Sequence, residues 1–216
     1  MDHLGAVIKT GIFKQPVNGR VRLGLLNLEG DAQADLENHG GIYKAVYAYP
    51  FEHYAYWKQQ TRRTDLTPGQ FGENLTVEGM LENEVYIGDV FQVGSAILEV
   101  TQPRTPCYKL GIKMGLPKFP RDFLSGGRVG FYLRVIQVGD IAAGDTFQCV
   151  GRDYEPMSVQ EISHLKYFDL ENLSEVKRAL RIRALSPDWH SSFEARVGET
   201  KRTREQREGL KETAKH

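Results

Sequence analysis

The chain is poor in cysteine. Only Cys107 and Cys149 occur among its 216 residues. Two cysteines cannot make the disulfide framework of a small secreted domain, so a cytoplasmic, reducing setting is expected. Long apolar runs are also missing. No stretch approaches the ~20 residues that cross a bilayer, and Met1-Asp2-His3-Leu4-Gly5 lacks the basic-then-apolar opening of a signal peptide. No membrane partner is expected. Net charge is absent as well, because 28 Lys and Arg balance 28 Asp and Glu. That balance speaks against binding nucleic acid through a bulk positive field.

Several catalytic signatures are missing too. There is no G-x-x-x-x-G-K-[ST] phosphate loop, no G-x-G-x-x-G at a strand–helix junction and no G-x-S-x-G elbow. Two distant cysteines and scattered histidines make no zinc pattern. There is no iron–sulfur cysteine set and no flavin fingerprint, so any redox activity must take electrons from a separate protein.

What is present is ordinary globular composition, with 40% hydrophobic and 26% charged residues. Glycine is plentiful, 22 against 9 prolines, which favours tight turns and β structure. Ala96, Leu98 and Val100 fall at every second position, between Ser95, Ile97, Glu99 and Thr101. Val129, Phe131, Leu133 and Val135 do the same, as do Val21, Leu23 and Leu25, and Ala45, Tyr47 and Tyr49. Period two places one face of each strand on a core. Helical patterns interrupt at Phe51 to about Arg62, Pro106 to about Met114 and Phe119 to Leu124. Residues 1–152 therefore read as mostly β with α insertions, in the form of a barrel.

From 153 to 198 the period becomes helical. Ser158 and Glu161 have capping-box spacing, with Ile162, Leu165 and Phe168 following. Asn172 can cap a second helix bearing Leu173, Val176 and Leu180. Ser186-Pro187 opens a third, in which Trp189, Phe193 and Val197 recur and Gly198 is a natural stop. Three such short helices cannot bury their apolar faces alone. They pack on the barrel or make a homodimer through Trp189 and Phe193. The stretch 199–216 is nearly free of apolar residues and reads as a disordered polar tail.

Cys107 is the most informative residue. A strand ends near Thr101, and Thr105-Pro106 can cap and open a helix, placing Cys107 in its first turn. Unpaired backbone N–H groups there favour an anion, and Arg104 and Lys109 add to that effect. The alternative is an inert buried thiol, a description that fits Cys149 well. A second constellation runs from Gly30-Asp31 through Gln33-Ala34-Asp35 to His39-Gly40-Gly41 and Lys44-Ala45-Val46. Its glycines let backbone approach a ligand closely. Lys44 lies on an otherwise apolar strand, Tyr43 to Tyr49, where it reaches either an anionic ligand or water. His39 is either a site residue or a loop hydrogen-bonder. A third block, Phe71-Gly72-Glu73-Asn74-Leu75-Thr76, leads into a strand.

In this order and at these spacings, the three blocks resemble the MOSC domain family, and the helices after Glu155 resemble the C-terminal module of its YiiM-like subfamily, associated with resistance to N-hydroxylaminopurine. The resemblance implies a MOSC-type β-barrel that binds a pterin-linked molybdenum cofactor. It also implies a two-electron reduction of N-hydroxylated bases and related compounds that releases water. Cys107 matches the molybdenum ligand of family members that are reductases. Arg104, Lys44 and Lys109 are then candidates for the cofactor phosphate, Asn74 and Asp31 for the pterin edge, and His39 and Glu73 for proton movement. The electron donor would be a flavin or iron–sulfur reductase. Relatives fused to sulfurases point to an alternative, a non-catalytic carrier of the cofactor or of persulfide sulfur. A barrel that binds nucleic acid is a third reading, one that the neutral charge disfavours.

Overall fold

A computed structural model describes residues 10–31 and 40–199, with the backbone of two short strands before them, β1 (Asp2–His3) and β2 (Ala6–Val7). His39 and the tail from 200 to 216 lie outside the described residues. Eight more strands follow: β3 (Val21–Leu23), β4 (Val46–Pro50), β5 (Leu75–Val77), β6 (Val90–Val93), β7 (Ala96–Pro103), β8 (Phe131–Gln137), β9 (Gly139–Ile141) and β10 (Gln148–Gly151). The helices are α1 (His53–Thr61), α2 (Tyr108–Met114), α3 (Phe119–Ser125), α4 (Val159–Tyr167), α5 (Leu173–Ala179) and α6, over 187–199. No helix among the described residues is long and apolar enough to cross a membrane.

Six strands form one curled, half-barrel sheet in the order β10-β6-β7-β8-β4-β5. Its pairs are antiparallel except β4 with β5, where Ala48 lies opposite Leu75. β3 and β9 make a separate antiparallel pair. The sheet is covered on both sides. Val46, Ala48, Leu98, Val100, Phe131 and Leu133 join one core with Ile162, Leu165, Val176, Trp189 and Phe193 from the C-terminal helices. Tyr47 and Tyr49 point the other way, into a second core with Trp57, Phe71, Leu110, Phe119 and Phe123.

The C-terminal helices therefore share the sheet's core. Trp189 and Phe193 are buried against the sheet, so they offer no face to a second copy. Each such side chain contributes about 1.5–3 kcal/mol on burial, which explains why helices this short hold their place. Local signals set their ends. Ser158 accepts the Glu161 N–H at 3.1 Å, and Glu161 accepts the Ser158 N–H at 2.6 Å. Asn172 accepts the Glu175 N–H at 3.3 Å. Ser158→Ala should lower stability by about 1 kcal/mol in a denaturant titration. An unchanged midpoint would show that the cap is redundant with the packing of α4.

Other expectations are corrected. The residues before β4 form a 3-10 turn, Ile42–Lys44, so Lys44 is not on a strand. Leu25 is exposed beyond the end of β3. α2 starts two residues later than expected, because Cys107 is extended (φ −126°, ψ 171°) and occupies the position before the first helical residue. Thr105 does not cap that helix, and its hydroxyl instead meets the Tyr167 phenol at 2.8 Å. α6 runs through Gly198, which does not stop it. Cys149 is exposed, not buried, since it sits on the edge strand β10.

Candidate functional site

The end of β7 carries Gln102, and the loop after it carries Arg104 and Cys107. Arg104 is only 6% exposed. Its backbone N–H donates to the Gly130 carbonyl at 3.2 Å. Its guanidinium carbon lies 4.8 Å from the Tyr47 ring centre and 5.5 Å from that of Phe123. Burial alone would lower its pKa. Tyr47, Tyr132, Cys107 and Glu73 outweigh that and shift it up, so the cation persists. Yet Arg104 Nη1 has no hydrogen-bond partner, and neither does Gln102 Oε1. A buried donor left unspent costs about 1–3 kcal/mol, more when charged. Such atoms are the expected mark of a ligand site. Cys107, half-buried and in no disulfide, interacts electrostatically with both Arg104 and Tyr132.

Lys44 and Lys109 have different settings. Lys109 is buried on α2. Lys44 Nζ is 2.9 Å from Asp188 Oδ2 on α6. With Thr105–Tyr167 and the Ser186 N–H to the Thr101 carbonyl at 3.3 Å, this pair ties the C-terminal segment to the turn before β4, to β7 and to the loop that carries Cys107. Lys166, beside Tyr167, lies over Trp189 at 4.1 Å. Its pKa is lowered by burial, opposed by Asp188 and reinforced by Lys44 and Arg196.

Asp31 and Asn74 are hydrogen-bonded to each other, and Glu73 has a set of donors of its own. Asp31 holds Lys14 at 2.5 Å and accepts from Asn74 Nδ2 at 2.7 Å. Asn74 Oδ1 accepts the Tyr47 N–H at 2.9 Å. Glu73 is 2% exposed and accepts from Gly69 N–H at 2.9 Å, Phe71 N–H at 3.0 Å, Thr76 hydroxyl at 3.1 Å and the Tyr54 phenol. These bonds shape the loop before β5 and clamp it to β4. Lys113 closes the same loop, donating to the Ile12 carbonyl at 2.7 Å and to that of Gly69. Burial lowers its pKa to about 8, with Glu73 opposing and Arg104 and Lys14 adding to the drop.

The structure thus joins Cys107 with Arg104, while Glu73, Asn74 and Asp31 spend their hydrogen bonds on the loop before β5 and its neighbours. Sequence reasoning missed Gln102, Tyr47 and Tyr132. They read as ordinary strand residues, and the available hint is that Gln102 continues the parity of the apolar positions Ala96, Leu98 and Val100.

The MOSC domain model matches residues 35–148, and the model of the YiiM-like 3-alpha helix domain matches 157–198. The chain belongs to the MOSC family. MOSC domains are generally associated with the molybdenum cofactor. The chain is 42% identical to the uncharacterized protein YflK of Bacillus subtilis, over 89% of this chain and 87% of that protein. The crystal structure of YiiM from Geobacillus stearothermophilus superposes with a TM-score of 0.78 at 37% identity, covering 87% of this chain and 89% of that one. A Gibberella moniliformis protein described as a reductase is 34% identical over 75% of this chain, which spans 29% of it.

Proposed function

We propose that the chain holds a pterin-linked molybdenum cofactor and reduces N-hydroxylated bases and related N-oxygenated compounds. The observation that carries this reading is the buried Arg104 guanidinium, with one nitrogen unspent, beside the half-buried Cys107. The residues fit the group. A thiolate is a soft donor suited to a heavy metal. Arg104 presents hydrogen-bond donors and charge to a phosphate. Gln102 Oε1 is a buried acceptor for an N–H of a pterin ring.

The bound cofactor supplies the two-electron redox chemistry at its metal. The overall change is R–NHOH + 2 e⁻ + 2 H⁺ → R–NH₂ + H₂O. Cys107 would hold the metal and Arg104 the cofactor's anionic end, with Lys109 on α2 adding positive charge and Lys44, paired with Asp188, a second cation for the phosphate. Glu73 accepts from Gly69, Phe71, Thr76 and Tyr54, which favours His39 over it as the group that moves protons. Electrons come from a separate flavin or iron–sulfur reductase. The likeness to a protein described as a reductase supports this reaction class.

The test is compositional. Protein purified from a host that builds the cofactor should contain molybdenum and pterin at close to one per chain, by elemental analysis and by fluorescence of the oxidised pterin. Protein that carries extra sulfur mass on Cys107 and no molybdenum would overturn the reading in favour of a persulfide carrier.

A further inference from the structure

Behind Arg104 lies a buried pair that the reading above does not use. His53 Nε2, at the start of α1, is 2.6 Å from Glu82 Oε2, and both side chains are buried. The other oxygen, Glu82 Oε1, accepts the Gly130 N–H at 2.7 Å. The Gly130 carbonyl in turn accepts the Arg104 N–H at 3.2 Å. Gly130 has φ +68°, and a Cβ there would sit 2.4 Å from the Ala48 carbonyl oxygen, so this position takes only glycine. Two tyrosines pin the same segment. Tyr47 donates to the Val129 carbonyl at 2.7 Å and Tyr49 to that of Arg128 at 3.1 Å. Tyr47 is also the ring against which the Arg104 guanidinium rests.

A carboxylate buried this deeply is costly unless it is paired and hydrogen-bonded. Here each of its oxygens has one directed partner. One partner is the histidine, and the other is the Val129–Gly130 peptide, whose carbonyl accepts from Tyr47, the ring beside Arg104, and whose next carbonyl along the chain, that of Gly130, accepts the Arg104 N–H. We propose that His53 and Glu82 are positioning residues. They fix the 128–130 segment and thereby aim the unspent nitrogen of Arg104 into the site. This inference rests on the reading that the site holds the cofactor. An arginine kept buried with a donor unspent must be held from behind, and the chain His53–Glu82–Gly130–Arg104 provides that hold.

The experiment compares pterin retention. Wild-type, Glu82→Gln, Glu82→Met and His53→Gln proteins are loaded in a cofactor-building host, alone and combined with Arg104→Ala. Pterin loss on dialysis is followed by the fluorescence of the oxidised pterin in the retained, folded fraction, well below each variant's melting temperature. Gln at position 82 keeps an acceptor for the Gly130 N–H, whereas Met keeps only volume. Glu82→Gln should stay within about twofold of wild type, and Glu82→Met should lose pterin roughly tenfold faster, the cost of one misplaced charge-assisted bond. In the Arg104→Ala background the Glu82→Met effect should vanish, because contacts that act through one group do not add. Equal loss from Glu82→Met and Glu82→Gln, or the same increment with and without Arg104, would overturn the inference and leave a purely structural pair. If Glu82→Met does not fold, His53→Gln decides by the same comparison: an effect that needs Arg104 supports the inference, and one that does not refutes it. Wild-type protein without pterin would instead refute the cofactor reading, so the two failures are distinct.

Discussion

Cys107→Ser protein should fold as the wild type does and lose reductase turnover by roughly a thousandfold or more, as when a group that acts only with the reacting centre is removed. The change replaces sulfur by oxygen at a half-buried position before α2, where the backbone is extended and no helix bond depends on the side chain. Melting temperature and the far-ultraviolet spectrum should therefore stay close to wild type. What changes is the donor. A serine hydroxyl stays protonated at neutral pH and is a hard ligand, poorly matched to a metal that prefers thiolate. Turnover is measured with an N-hydroxylated base and an artificial reductant, so that a missing electron donor does not obscure the result. Undiminished turnover by the serine variant would remove Cys107 from the chemistry. Arg104 Nη1 and Gln102 Oε1 would then be the remaining reasons to place a ligand at this end of β7.

Features governed by a few consecutive residues were legible in the sequence. The Ser158–Glu161 box and the Asn172 cap formed as expected, because cap and partner lie within one turn. β7 followed its alternation. The reading failed where the outcome depended on what packs from outside. In β4 both residue parities are apolar, so period two could not show that Val46 and Ala48 serve one core and Tyr47 and Tyr49 another. Cys149 sits beside Phe147 and Val150 and reads as buried, yet sheet order puts β10 on the edge. Trp189 and Phe193 announced an apolar face without naming its partner, and that partner is the sheet. In the site, Cys107 and Arg104 were visible through their flanking prolines and strand end. The buried pair His53–Glu82 was not, because 29 residues separate its members and no local pattern links them.

Glu73 supplies the second large effect, and it is one of stability. The sequence suggested a proton carrier, since a Glu-Asn pair between glycines and a strand resembles a site loop. The structure gives its carboxylate to two backbone N–H groups and two hydroxyls instead. Removing a buried carboxylate strands those donors together, and truncations of this type cost about 3–5 kcal/mol. For a chain of this size each kcal/mol moves the melting temperature by roughly 2–4 °C. Glu73→Ala should therefore melt some 6–20 °C lower in calorimetry, by the same arithmetic. Glu73→Gln, which keeps acceptor capacity, should recover part of that loss. At a temperature where both variants remain folded, turnover per loaded molybdenum should stay within a few-fold of wild type. A pH–rate profile that loses its acidic limb in Glu73→Gln, with the melting temperature unchanged, would reverse the assignment and return Glu73 to proton transfer. The distinction rests on geometry: three donors converge on Glu73 Oε1 and the Phe71 N–H on Oε2, so the carboxylate is held by the 69–76 segment and by Tyr54 of α1.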